Sequence, residues 1–188
     1  MPLILEGLVT TLAEDGTMHL APMGPIVDAG FRTLLLRPFP SSQTYRNLAD
    51  HGEGVFHITD DAALIARAAL GKLELTPEYR PATSVKGFVL TDCCRAYEFR
   101  VRGIDASGER VQIQADVVGG VSFRDFLGFH RAKHAILEAT ILLTRRHVLP
   151  PGEIEAGMRQ ARIIVDKTGG PAELDAMAFL ETEFAGAP

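Results

Sequence analysis

Residues 36–48 read L-R-P-F-P-S-S-Q-T-Y-R-N-L, the stretch of the chain whose side chains say most about chemistry. An apolar strand delivers the guanidinium of Arg37. Pro38 and Pro40 then stiffen a tight loop, because proline lacks the backbone donor that a central strand or a helix interior needs. Ser41, Ser42 and Thr44 gather hydroxyls where a helix begins. A helix start exposes unpaired backbone amides and the positive end of the macrodipole. Together with Arg37 these groups make a pocket for a phosphate monoester, and Asn47, one turn on, could donate from the same side. An ordinary capped helix after a proline turn, with Arg37 in solvent, requires the same residues.

Residues 18–26, M-H-L-A-P-M-G-P-I, form a second candidate. Pro22 and Pro25 around Met23-Gly24 interrupt a strand and free backbone groups. Gly24 would let a flat ligand approach the main chain, or it marks a bulge at a barrel corner. Two further clusters carry less. His130, His134 and Glu138 are four apart and share a helical face, but three ligands on one stripe spread over about two turns, and no H-E-x-x-H is present. The residues are read as surface or interfacial, with Glu138 paired to Arg131 or Arg145, and no metal is assigned. Cys93-Cys94 lacks the C-x-x-C spacing and is read as strand core. No acid–base dyad stands out, so no catalytic residue is named.

The elements that position these groups change character along the chain. Residues 3–12 and 18–27 flank Glu14-Asp15-Gly16 and read as a hairpin. Phe31 to Leu36 reads as a strand buried on both faces, Tyr45 to Asp50 as a short helix closed by Gly52, and Val55 to Thr59 as a strand. Asp60 and Asp61 open a helix that Gly71 stops, and residues 72–82 look irregular. Val85 to Val89, Ala96 to Ile104 and Arg110 to Val118 read as further strands. Past a soft boundary at residues 122–128, three helices follow. One carries the stripe Ala132, Ala135, Ile136, Ala139, Leu142 and Leu143. The next carries Ile154, Met158, Ala161, Ile164 and Val165, and the last opens at Pro171. Strands segregated from helices argue for an α+β class, and at least six short antiparallel strands suggest a barrel.

The 188 residues suit a domain with an appendage, divided as 1–124 and 125–188, and 46% hydrophobic content supplies a core without tryptophan. A net charge of -5 argues against nonspecific nucleic-acid binding. Two adjacent cysteines offer no disulfide framework, which fits a reducing compartment, and no apolar run approaches a membrane span. A cytoplasmic location is the expectation.

The segments E-G-L-V-T-T-L (6–12), H-L-A-P-M-G (19–24), S-S-Q-T-Y-R-N-L (41–48) and I-T-D-D (58–61) resemble the flavin-reductase-like, FMN-binding split barrels. More narrowly, with R-A-K-H-A-I-L-E-A-T-I-L-L-T-R (131–145), nearly the whole chain is similar to the family catalogued as domain of unknown function 447. The resemblance implies an antiparallel split β-barrel with a C-terminal three-helix appendage, and a homodimer with FMN near the subunit interface. It implies an FMN-dependent oxidoreductase of unspecified substrate. The alternative is a non-enzymatic flavin- or pterin-binding carrier, sensor or interaction protein, since some members occur in organisms with methanopterin-type one-carbon chemistry. Ser42, Thr44 and Asn47 match the phosphate loop, with Ser41 and Arg37 as neighbours, and Met23 and Gly24 match the stretch along the flavin ring. Gln43 stands where the family pattern has a histidine, and His57 where it has an asparagine.

Overall fold

The computed structural model describes residues 3–186 and groups the chain into two units, Met1–Thr59 with Thr76–Asp125, and Asp60–Leu75 with Phe126–Pro188. Residues 60–75, which the sequence reading leaves with the barrel, cluster with the C-terminal helices.

The first unit begins with a long hairpin. Strands β1 (Leu3–Ile4) and β2 (Gly7–Leu12) pair with β4 (Ile26–Val27) and β3 (Met18–Met23) in one unbroken register, from Leu3↔Val27 through Gly7↔Met23 to Leu12↔Met18. The interruption falls at Leu5-Glu6 and Gly24-Pro25, where Pro25 has no amide to give and Leu5 N donates to Pro25 O at 3.2 Å. At the hairpin tip the Asp15 carboxylate accepts from Thr17 N and Thr17 Oγ1 at 2.9 and 2.6 Å.

Strand β5 (Thr33–Leu36) follows, then helix α1 (Gln43–His51), β6 (Glu53–Ile58), β7 (Tyr79–Pro81), β8 (Phe88–Leu90), β9 (Arg95–Asp105) and β10 (Gln112–Ser122). Eight strands form one sheet in the order β1-β4-β5-β10-β9-β6-β2-β3. Its two ends are the two halves of the same hairpin, since β3 runs on into β4 and β1 into β2. The sheet therefore curls back on itself as an antiparallel split barrel. Register shifts in the β9–β10 ladder, between Gln114 and Ala115 and between Val117 and Gly119, add the twist that curling needs. Val9, Val27, Leu34, Leu36, Leu48, Phe56, Phe99 and Ile113 fill the core.

Several expectations need adjusting. Phe31 does not begin a strand: it sits in the left-handed region at φ 52, because the Asp28 carboxylate takes the amides of Arg32 and Thr33 at 2.7 Å each and holds the turn. Those amide donations, Thr33's foremost, hold the Asp28 carboxyl down at about 2. Burial alternates along β5, so it is not a strand buried on both faces. Residues 79–81, expected to be irregular, pair with β8, and the Tyr79 and Phe88 rings meet edge-on at 4.8 Å. Strand β10 runs four residues past Val118, which is the extra residue of a bulge, and Gly119 and Gly120 resume the pairing opposite Glu98 and Tyr97. Cys93 and Cys94 are buried but lie in the bend between β8 and β9, not in a strand.

The second unit contains four helices, α2 (Ala62–Ala69), α3 (Arg131–Thr144), α4 (Pro151–Thr168) and α5 (Pro171–Ala185), where the sequence suggests three. Helix α2 joins them because Ala62 and Ala66 lose their surface against Ala132, Ala135, Ile136, Met158, Met177 and Leu180. Small residues on α2 let it approach a core already rich in alanine. Helix α3 ends at Thr144, Pro150 is the N-cap of α4, and Pro151 opens it. Among the described residues, no helix is long and apolar enough to cross a membrane.

Candidate functional site

The loop after β5 is held from several directions. Val111 N donates to Pro38 O at 3.1 Å, and Arg110 Nη1 donates to Arg37 O at 3.3 Å. The Arg110 guanidinium also lies 3.3 Å from the centroid of the exposed Phe39 ring. Arg37 itself is only partly exposed, and its Nε is buried with no hydrogen-bond partner among the described residues. A buried charged donor without an acceptor is costly to keep, so such an atom points to a ligand or a water.

Helix α1 starts at Gln43, and Ser42 is its N-cap. The Ser42 hydroxyl accepts from Tyr45 N at 3.2 Å and donates to Phe39 O at 2.8 Å, so both of its functions serve the turn. None of the described hydrogen bonds uses the amides of Gln43 and Thr44, which no intrahelical carbonyl can reach. The first turn carries no carboxylate. At the other end Gly52, at φ 68, closes the helix by donating to Leu48 O at 3.0 Å.

Thr44 and Asn47 are both buried to about the same degree as the core. Asn47 is spent internally: Nδ2 donates to Thr11 Oγ1 at 2.8 Å, and Oδ1 accepts from Gln43 Nε2 at 2.6 Å. Gln43 Oε1 in turn accepts from Arg46 Nε and Nη2 at 3.2 and 2.8 Å, while Arg46 Nη1 donates to Ser41 O at 2.7 Å. A chain of polar contacts thus runs from β2 through α1 to the loop. Thr11 pairs with His19 across the hairpin. Burial, reinforced by the Arg46 charge, pulls the His19 imidazole below its ordinary value.

Met23 and Gly24 lie at the other end of β3. Asn47 meets the hairpin at Thr11, four residues from Gly7, the partner of Met23, a separation of roughly 13 Å along a strand. The β4–β5 ladder ends at Ile26 opposite Leu35, and Arg37 follows the end of β5. A Cβ on Gly24 would stand 2.7 Å from Glu6 Oε1, so the space its missing side chain leaves is filled by that carboxylate. Arg37, Ser41, Ser42, Thr44 and Asn47 share one loop and helix start, and Met23-Gly24 lies at the other end of β3 from the pairing partner of Thr11, where Asn47 meets the hairpin.

The remaining candidates are structural. His57 is fully buried; Leu90 N donates to its Nε2 at 3.0 Å, which leaves Nδ1–H to donate to Leu8 O at 3.3 Å. Burial pushes that imidazole down to about 4, so the ring is a neutral clamp between strands. His130 caps α3, accepting from Lys133 N at 3.4 Å, and Glu138 faces His134 at 3.9 Å instead of Arg131 or Arg145. Among the described residues no group of three His, Cys, Asp or Glu side chains could hold a metal. Burial, then the neighbouring Cys94, pushes the Cys93 thiol up to about 12, far from a reactive thiolate.

Sequence reading overlooked Arg46, Gln43 as its partner, and Thr11. The spacing of Gln43 from Arg46 and Asn47, three and four residues, was the available signal.

Residues 5–123 match the family described as protein of unknown function (DUF447) N-terminal domain, and residues 130–182 match the DUF447 family itself. The chain belongs to the DUF447 family. Its fold has relatives among solved structures. An FMN-bound DUF447 protein from Methanosarcina mazei superposes with a TM-score of 0.82 at 20% identity, covering 97% of this chain and 96% of that one. A 2-nitrobenzoate 2-nitroreductase from Pseudomonas fluorescens has a TM-score of 0.54 at 17% identity, covering 65% of this chain and 66% of that one. A flavoredoxin from Methanosarcina acetivorans has a TM-score of 0.53 at 15% identity, covering 65% of this chain and 68% of that one. No curated protein matches this DUF447 chain.

Proposed function

We propose that this DUF447 protein binds FMN at the loop and helix start formed by residues 37–47, and that it is an oxidoreductase. The observation that carries the reading is the buried Nε of Arg37, without a partner among the described residues, in the loop that leads to a helix start whose first two amides no described hydrogen bond uses and whose first turn has no carboxylate. Those donors suit a phosphate monoester, and the DUF447 relative from Methanosarcina mazei is described as FMN-bound. Fold relatives described as a nitroreductase and a flavoredoxin favour redox chemistry over simple carriage.

In this reading the Gln43 and Thr44 amides and Arg37 take the phosphate. Ser41 and Ser42 shape the loop that presents them. Asn47, already bonded to Thr11, fixes the pitch of α1, and Met23 and Gly24 border the ring. Once bound, the flavin supplies the hydride and electron transfer. Exposed apolar side chains on the first unit, among them Leu3, Ile4, Phe39 and Val118, are material that a second copy would cover, and we place a homodimer in the proposal on that ground. Nothing in the geometry speaks for a pterin, and that link is not carried forward.

Purified without added ligand, the protein is expected to be yellow and to release FMN on denaturation. Anaerobic bleaching by NAD(P)H, with reoxidation by an acceptor, supports the oxidoreductase. Flavin that is held but inert to NAD(P)H turns the reading into a carrier. A colourless protein that also ignores added FMN overturns both.

A further inference from the structure

We infer that Arg46, stationed by Gln43, is the residue that distinguishes a phosphorylated flavin from an unphosphorylated one. This rests on the FMN reading above and adds to it a residue that neither the phosphate-loop pattern nor the family resemblance assigns.

A guanidinium has five N–H groups. Arg46 spends three, with Nε and Nη2 both donating to Gln43 Oε1 and Nη1 donating to Ser41 O. Two remain, one on each terminal nitrogen, and a pair of that kind matches two oxygens of a phosphate. The side chain is solvent-exposed, and its described salt bridges are none. It is nonetheless fixed in place. Gln43 cannot swing away without giving up its own bond to Asn47, and Asn47 is tied to Thr11 in the barrel wall at 2.8 Å. The ordering of a long, flexible side chain has therefore been met before any ligand arrives, which is how preorganised sites gain affinity.

Electrostatics point the same way. An exposed arginine on a helix finds its best intrahelical place near the C-terminus, where it complements the macrodipole. Arg46 instead reaches back over the first turn, toward Ser41, and adds a positive charge to an already positive end. Its described acceptors, Gln43 Oε1 and Ser41 O, are both neutral. That arrangement costs a little stability by itself and becomes favourable when an anion sits in front of it. Riboflavin shares the ring and ribityl chain of FMN but brings no anion, so Arg46 contributes to one ligand and not to the other.

The test is a pair of titrations of the full chain, with FMN and with riboflavin, on the wild type, Arg46→Gln and Arg46→Lys. Arg46→Gln keeps an amide stem on an exposed helix position, and thermal melting verifies that it folds. FMN affinity is expected to fall about tenfold to a hundredfold in Arg46→Gln, while riboflavin affinity moves less than about twofold. Arg46→Lys recovers part of the loss, because it keeps the charge without the fork. Gln43→Ala is expected to weaken FMN severalfold in the wild type and not at all in the Arg46→Gln background, as a positioning residue should. If the wild type prefers FMN over riboflavin and Arg46→Gln keeps that preference, the inference about Arg46 is overturned while the flavin reading stands. If the wild type binds neither compound, the flavin reading falls and takes this one with it.

Discussion

Two helix starts in this molecule are built in opposite ways. At α5 the first turn carries its own anion: Glu173 accepts from Gly170 N at 2.9 Å and pairs with Lys133 at 2.8 Å, with most of both side chains out of solvent. The Lys133 hydrogen bond is the main reason that this carboxyl lies below the ordinary glutamate range. At α1 the cap is a hydroxyl, the first turn has no carboxylate, and the charged groups that gather are Arg46 over Ser41 and Arg37 in the preceding loop. Both starts have the same positive dipole end, although Pro171 at the first position of α5 has no amide to give where α1 has Gln43. One meets that end with a carboxylate from within the chain; the other surrounds it with more positive charge. The difference separates a helix start that serves folding from one arranged for an external anion.

The comparison breaks most sharply if α1 is given what α5 has. Gln43→Glu sets a carboxylate on the first turn beside Arg46, 3.2 Å or less from where its guanidinium now meets the amide. Such a side chain pairs with Arg46 and occupies the amides that phosphate would take. FMN affinity is expected to drop by about a hundredfold or more, whereas the gain of about 0.5 kcal/mol that acidic residues bring at helix starts is offset by the lost donation to Asn47 Oδ1, so that stability changes by no more than about 1 kcal/mol. A titration alongside a melting curve checks both halves. Unimpaired FMN binding would mean that the α1 start is not the phosphate site.

Much of this contrast was readable in the sequence, and the unread part has a common cause. The hairpin of residues 3–12 and 18–27 was legible because alternation and an Asp-Gly turn are local signals, and the observed register runs through all of it. Ser42 was legible as a cap for the same reason. The Thr11–Asn47 bond joins residues 36 apart, and no local pattern encodes that partnership. Helix α2 was legible as a helix, but its allegiance to the second unit depends on which core its alanines meet. Strand β7 escaped because its only partner is β8, across a loop, and three residues with a proline give too short a pattern to register. Gly24 was read as room for a ligand or as a bulge, and the barrel fills that room with Glu6, from the break between β1 and β2. Local chemistry could be read from the chain; the neighbours that consume it could not.

From the α5 side, Glu173→Gln removes the built-in anion and leaves Lys133, with 23% of its side chain exposed, without its partner. A loss of about 2 kcal/mol is expected, with no change in FMN affinity. The sign with pH follows from the lowered carboxyl. A group held below its unfolded value stabilises the fold above that unfolded value and loses the contribution as pH falls through the folded one. The wild type should therefore lose this increment in acid, below the ordinary glutamate range, and Glu173→Gln should show a flatter stability profile there. Urea melts of the two proteins across the acid range measure it. Equal slopes would show that Glu173 is not the anion of the α5 start in the sense argued.

The smallest effect belongs to Ser42, and it separates the two uses of a helix start within α1 itself. Its hydroxyl has one proton and donates it to Phe39 O at 2.8 Å, while its oxygen accepts the Tyr45 amide at 3.2 Å. A hydroxyl engaged in this way has little left for a phosphate. Ser42→Ala is therefore expected to cost about 1 kcal/mol of stability, the usual value of a lost cap, and to change FMN affinity by less than about threefold. The same substitution made on a true phosphate donor would reverse that order, sparing the fold and weakening the ligand. Denaturation and titration on one variant thus decide whether Ser42 shapes the loop or grips the ligand. If affinity falls further than stability, the division between a capping hydroxyl and a cationic clamp is drawn in the wrong place, and Ser42 belongs with Arg46.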